Sequence, residues 1–341
     1  MNSRSNHQIV LADRPSGTLG LHHFTSVTTE VPPLAQDQVL IRVILTQVAP
    51  AARAVMTTTT PFAPTNPGDG ILTAVVGEVL DGPPDGPAPG TIVTCYAGWE
   101  QYSVVPVSQV RPIQTEGPLA HHLGLFGQNG LAAYFGIAGV GRVQTGETVV
   151  VSAAAGGVGH LAGQLAKIAG ARVIGITGSD EKNRMLEDEL GFAATVNRCS
   201  PTFPSDLRTA CAEGVDLFFD NVGGSVLDSA LPLMAVHGRV VCCGAVASYD
   251  VDQDAVLAPG PHGIPQLIIN KTLRIEGFLT ADFAPHRSDA LDRLAGWAQD
   301  GQLKAITNVW EGLDAAPAAL VAMLAGENVG QAVVRVGPDP A

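Results

Sequence analysis

The run Ala153-Ala154-Ala155-Gly156-Gly157-Val158-Gly159-His160 is made of residues small enough for a backbone to close around an anion. It follows the apolar Thr148-Val149-Val150-Val151-Ser152 and precedes a helix-like stretch from Leu161 to Ala169. A glycine-rich stretch alone is often only a tight turn. Between a buried strand and a helix it does more, because the first N–H groups of a helix have no partner within it and the helix dipole favours negative charge there. The pyrophosphate of a dinucleotide is the anion that such a unit accepts.

Which dinucleotide is decided at the end of the next strand, Arg172-Val173-Ile174-Gly175-Ile176. Enzymes that use NAD place an acid there, ~20 residues beyond the glycines, to bind the ribose 2′-hydroxyl. Here the strand runs into Thr177-Gly178-Ser179, with no acid at its tip. Ser179 and Lys182 can instead bond and neutralise a 2′-phosphate, which points to NADPH. Asp180 and Glu181 weaken that reading, and the alternative is that they cap the following helix while Lys182 is a solvated charge. Arg198 is either a second cation for the phosphate or an ordinary loop arginine.

The elements that must position these residues fall into two regions. From about Gln8 to Gln109 short β-type runs such as Val39 to Ile44, Ala74 to Leu80 and Thr91 to Tyr96 alternate with Pro- and Gly-rich turns, the pattern of a barrel-like β domain. From Thr148 the rhythm becomes strand, loop, helix, strand, with further strands expected at 215–220, 238–243 and 272–277. That alternation predicts a doubly wound α/β domain with a parallel sheet. The tail, a helix-like 315–324 followed by a strand at 331–336, is read as returning to the β domain, and Thr57-Thr58-Thr59-Thr60 as a loop.

Composition bounds the function. A chain of 341 residues, 46% hydrophobic and 15% charged, has the make-up of an ordinary two-domain globular protein. Its net charge of -13, with no basic run, would repel nucleic acid. The polar first residues lack the core of a signal peptide, and no apolar stretch is long enough to span a bilayer, so the expected setting is the cytoplasm. Five cysteines without framework spacing suit a reducing compartment. Cys95, Cys199, Cys211 and Cys242 read as small buried residues, while Cys243 could line a site because it precedes Gly244.

A catalytic zinc would need a cysteine–histidine set with an open position, usually beside a four-cysteine lobe, and neither is present, so no metal is expected. Of the nine histidines, His121-His122 would point apart on a helix, and His22-His23 would face opposite sides of a strand.

Beyond residue 125 the chain carries, in order, "GLAAYFGI" from Gly130, "GETVVVSAAAGGVGHLAGQLAKIAGARVIGITGSDEK" from Gly146, "DLFFDNVGG" from Asp216, "GRVVCCGAVASYD" from Gly238, "LRIEGF" from Leu273 and "LAGENVGQAVV" from Leu324, with "GWEQYSVV" from Gly98 in the first domain. Together these motifs resemble the zinc-independent branch of the medium-chain dehydrogenase/reductase superfamily that contains the leukotriene B4 dehydrogenase/prostaglandin reductases and plant alkenal double-bond reductases. The resemblance implies a GroES-like β-barrel domain over 1–123, joined by 305–341, and a Rossmann domain over 124–304, with substrate and nicotinamide in the cleft between them. It implies that Gly156, Gly157 and Val158 line the pyrophosphate, that Ser179 and Lys182 hold the 2′-phosphate, and that Asn221, Gly244 and Asn328 contact the cofactor. Tyr249 matches the tyrosine of the family's "SxYN", beside the nicotinamide ribose, where it either packs on the cofactor or polarises and protonates substrate. A homodimer is also implied.

Where the family has "VDPYMR", this chain has Val48-Ala49-Pro50-Ala51-Ala52-Arg53. Ala51 in place of the tyrosine implies a differently shaped, roomier substrate pocket, to which Phe278 is also assigned. Gln331 replaces a frequent lysine, and the 279–283 segment lacks an arginine and tryptophan seen in some relatives. The expected activity is NADPH-dependent reduction of a C=C bond conjugated to a carbonyl in a small-molecule substrate, with a bulky biosynthetic intermediate as one candidate. The alternatives are a quinone reductase of the same superfamily and a non-catalytic NADPH-binding protein. Alcohol oxidation with NADP finds no clear proton relay.

Overall fold

The computed structural model describes residues 4–56, 63–113, 117–250 and 264–340. Thr57 to Thr60, expected as a loop, lie outside the described residues. The chain divides into two compact units, one comprising Met1–Leu123, Tyr249–Asp252 and Thr307–Ala341, the other Gly124–Ser248 and Gln253–Ile306. Tyr249 and Asp250 thus cluster with the first unit, although the sequence placed them inside the 124–304 stretch.

The first unit is built from β-sheet, as expected. One sheet has seven strands and a second joins Phe24–Glu30, Ser5–Leu11 and Trp99–Glu100. The spine of the larger sheet is Gln38–Val48, which pairs antiparallel with Thr73–Asp81, Tyr102–Pro106 and Gln331–Arg335. Val39, Ile41 and Val43 alternate into one apolar cluster. A register shift between Val43 and Leu45 follows, after which Ile44, Leu45 and Val48 feed two other clusters and the strand is buried on both faces. Such bulges bend a strand and increase its twist. The C-terminal helix Ala316–Leu324 covers this unit, burying Ala316, Ala319 and Leu320 with Trp99 and Met56.

His22 and His23 depart from expectation. They occupy the 3-10 turn Leu21–His23 rather than a strand, and their ring centroids lie 3.9 Å apart. Three residues per turn, unlike the alternation of a strand, do not send neighbours to opposite faces.

The second unit holds a six-stranded parallel sheet. Numbered within this unit by chain position, its strands lie in the order 3-2-1-4-5-6, from Ala194–Asn197 at one edge through Arg172–Thr177, Thr148–Val151, Val215–Asp220 and Met234–Cys242 to Arg274–Gly277. The order reverses between Thr148–Val151 and Val215–Asp220, the switch point outside whose carboxyl ends ligands bind in doubly wound sheets. The central strands are continuously apolar because both faces are covered. Val149, Val151, Leu217 and Phe219 enter one cluster, while Val150, Ile174 and Phe218 enter the other. Full burial of such a side chain contributes about 1.5–3 kcal/mol.

The fifth strand starts at Met234 rather than 238. Its pairing with Val215–Asp220 is irregular between Val215 and Leu217, with His237 in the left-handed region at φ 66°. The sixth begins at Arg274 rather than 272, after Thr272 at φ 50°.

Candidate active site

The loop after Thr148–Val151 turns sharply. Ala153 adopts φ 46°, the Ala154 N–H donates to Ile176 O (3.0 Å), and the Gly156 N–H to Ala153 O (2.8 Å). The helix Gly159–Ile168 then starts at Val158 with no side chain capping its first turn. A Cβ on Gly159 would overlap the Ala153 carbonyl oxygen and lie 2.8 Å from Ala154 Cα, so only glycine permits this approach. Gly156, Gly157 and Val158 therefore share one turn at a helix N-terminus, where backbone N–H groups suit an anion.

His160 secures that turn from beneath. Its Nδ1 lies 2.7 Å from Gly156 O, and its Nε2 accepts from the Ile306 N–H (3.1 Å), so the neutral ring carries its proton on Nδ1. Burial pushes its pKa down to about 4, the Gly156 bond opposing this only in part. Gln164 makes a second tie, donating to His160 O and Lys304 O and accepting from the Lys304 N–H.

Across the switch point Asp220 organises the neighbouring strand end. Its buried carboxylate accepts from Ser152 Oγ (2.7 Å), Val222 N (2.9 Å) and Gly223 N (3.0 Å to Oδ2). Ser152 Oγ in turn accepts from Asn221 N, and the Asn221 amide donates to Ser152 O, each at 2.8 Å. The Gly244 N–H donates to Asp220 O, and a Cβ there would lie 3.0 Å from Asn221 O, so Gly244 and Asn221 are brought together. Ser152 and Asp220 were missed as site residues. Their positions at the ends of two apolar strands, in "VVVS" and "LFFD", were the available signal.

Asp220 also bears on the cysteines. Burial first, then the Asp220 charge, pushes the Cys243 thiol up to about 12, so it stays protonated and is no nucleophile. Cys199, expected inside, is exposed, because it follows a strand end on a polar turn; Cys242 is only partly buried.

At the tip of Arg172–Thr177, Ser179 caps the helix Asp180–Asp188, its hydroxyl accepting from the Lys182 N–H at 3.3 Å. Accepting at oxygen leaves the hydroxyl hydrogen to donate to a phosphate. Asp180 and Glu181 occupy the first helical turn, where the dipole favours acids, and Asp180 accepts from Asn197. Arg198 is anchored by its N–H to Thr177 O, and its guanidinium lies 3.6 Å from where a Gly178 Cβ would be. The tip therefore presents a serine hydroxyl and an arginine.

The remaining sequence candidates divide between the two units. Phe278 packs its ring edge-on to Phe283 (centroids 6.1 Å) beside Gly136, within the second unit. Ala51, Tyr249 and Asn328 belong to the first unit. Ala51 opens the short helix Ala51–Ala54, and Asn328 donates to Gly330 O (2.6 Å).

Residues 7–113 match the model for the N-terminal domain of oxidoreductase, and 157–296 that for zinc-binding dehydrogenase. Prostaglandin reductase 1 of Rattus norvegicus is 35% identical, over 92% of this chain and 94% of its own. The chain belongs to the zinc-independent medium-chain dehydrogenase/reductase family, in its prostaglandin reductase-like branch. Within that family the NADPH-dependent curcumin reductase of Escherichia coli (strain K12) is 32% identical over 98% of each chain. The crystal structure of CurA from Vibrio vulnificus in complex with NADPH superposes with a TM-score of 0.92 at 29% identity, covering 98% of this chain and all of that one. Among the described residues no three His, Cys, Asp or Glu side chains gather in a group that could hold a metal.

Proposed function

We propose that this protein uses NADPH to reduce the carbon–carbon double bond of an α,β-unsaturated carbonyl compound. The observation that carries it is end-to-end similarity to two reductases, one named for NADPH and for curcumin, a molecule whose double bonds are conjugated to carbonyls. The fit of the chain's own residues supports the cofactor. The turn at 156–158 suits the pyrophosphate, Ser179, Lys182 and Arg198 suit a 2′-phosphate, and Asn221, Gly244 and Asn328 are assigned to further contacts.

NADPH, when bound, supplies hydride to the substrate's β-carbon. Negative charge then develops on the carbonyl oxygen, and a hydrogen-bond donor placed there lowers the barrier. Tyr249 is assigned that role, with its hydroxyl also able to pass a proton to the α-carbon. Ala51 and Phe278 are assigned to the substrate pocket, where alanine leaves room for a bulky molecule. The test is NADPH oxidation followed at its near-ultraviolet absorbance with a panel of enals, enones and quinones, with mass analysis of products. A gain of two hydrogens at the alkene supports the proposal, whereas turnover of quinones alone, or NADPH binding without oxidation by any acceptor, overturns it.

A homodimer is part of this proposal. Arg274–Gly277 ends the six-stranded sheet with all four residues exposed, and Ile275, Ile269, Val236 and Leu279 of the same unit are exposed apolar side chains. A strand edge that is unpaired among the described residues and has apolar neighbours favours pairing with a second copy. Sedimentation at the mass of one chain would remove it. The cytoplasm is the setting proposed, supported by five cysteines that are all free. No helix among the described residues is long and apolar enough to cross a membrane.

A further inference from the structure

Arg53 is an unusual residue to bury. Its side chain is 1% exposed, on the short helix Ala51–Ala54. Nε donates to Asp250 Oδ1 at 2.9 Å and one terminal nitrogen to Gly17 O at 2.8 Å, while the other has no partner among the described residues. Asp250 Oδ1 also accepts from the Leu19 N–H at 2.8 Å. Three separate segments, 17–19, 51–54 and 249–250, therefore converge on one carboxylate within the first unit.

A buried ion pair with an unmet donor is a poor way to gain stability, because desolvation offsets the attraction and apolar residues of similar volume often do better. What the pair does supply is direction. A charge-assisted bond from a planar guanidinium, held in turn by Gly17 O, fixes where its carboxylate sits. Asp250 directly follows Tyr249 in the chain. Ser248 clusters with the second unit, and Tyr249 and Asp250 with the first, so this anchorage lies at the first residues of that returning segment.

We infer that Arg53 is a positioning residue, which through the Asp250 carboxylate fixes the backbone that presents Tyr249. The inference rests on the role proposed for Tyr249, and it adds a residue to which no contact with cofactor or substrate is assigned. The helix Ala51–Ala54 thereby links two functions, Ala51 at the pocket and Arg53 behind the tyrosine. Misplacing a hydroxyl by about 1 Å is enough to lower a rate by about 100-fold.

The experiment uses the full chain with NADPH and compares Arg53→Met, Asp250→Asn and the double variant. Three measurements are made: amide hydrogen exchange in peptides ending at Asp250, steady-state kinetics with an enone and with NADPH varied in turn, and the melting temperature. In Arg53→Met, exchange at Tyr249 and Asp250 is expected to rise about tenfold, and kcat to fall about 10- to 100-fold, with KM for NADPH nearly unchanged. The double variant leaves no orphan charge, so its melting temperature recovers towards the parent's while kcat stays low.

Recovery of both melting temperature and kcat in the double variant would mean that the pair is only structural and would overturn the inference. So would unchanged exchange over Tyr249 and Asp250 in Arg53→Met. Should that variant fail to fold, Asp250→Asn decides in its place, because it keeps the shape and one acceptor but weakens the hold on Arg53. A parent that reduces no enone would defeat the proposed function, while the exchange measurement would still decide whether Arg53 fixes the segment.

Discussion

The region around the glycine loop and the region around Ala51 and Tyr249 are built on different principles. The first is mostly backbone: N–H groups of one turn, a glycine in contact with a carbonyl, and buried Asp220, Ser152 and Asn221 satisfying one another. The second relies on side chains, with Ala51 assigned to the proposed pocket and the Arg53–Asp250 ion pair next to Tyr249 in the chain. Backbone contacts to a constant group tolerate little sequence change. Side chains that meet a variable substrate can be exchanged without unfolding the domain, so the two regions should respond differently to substitution.

The largest effect is expected from Gly159→Val. The added side chain must displace the Ala153 carbonyl, costing about 3 kcal/mol, and NADPH affinity should fall about 100-fold, measured by fluorescence titration. Retained affinity would mean that the loop is more adaptable than its close contacts indicate.

Next comes the response to acid. His160 has a folded pKa of about 4, below the ordinary 6.5, so between those values the unfolded chain binds a proton that the native state refuses. Its contribution is complete above about pH 6.5 and is lost as pH falls towards 4, by about 3 kcal/mol in all. Urea unfolding across this range should show the slope, and His160→Gln should flatten it.

Arg198→Ala should raise KM for NADPH about tenfold, the loss of one charge-assisted contact, and leave KM for NADH nearly unchanged. Equal effects on both cofactors would separate Arg198 from the 2′-phosphate. The smallest effect is expected from Ala51→Tyr, which narrows the proposed pocket: kcat/KM for bulky enones should drop about threefold to tenfold with small enals unaffected. A change in NADPH affinity instead would blur the contrast between the two regions.

Much of this architecture was legible in the sequence. The alternation of strands and helices after Thr148 showed the parallel sheet, and the spacing of 153–160 after a valine run showed the loop and helix. These are local signals, set by side-chain periodicity and by the backbone freedom that small residues give. Boundaries slipped where backbone irregularities intervened, at His237 and Thr272, and His22 and His23 were misplaced because a short turn carries no periodicity. Cys199 was misjudged because residue type alone does not report depth.

By itself, the sequence determined the two kinds of domain, the glycine loop, the absence of an acid at the tip of the second strand and the membership of a reductase family. Only the tertiary structure decided that Ser152 and Asp220, 68 residues apart, would share a hydrogen bond, that Arg198 would lie over Gly178, and that Arg53 would reach Asp250, 197 residues away. Strand order and register choose the partners of a side chain, and both are settled by how the whole sheet buries its two apolar faces, which no single stretch of sequence contains.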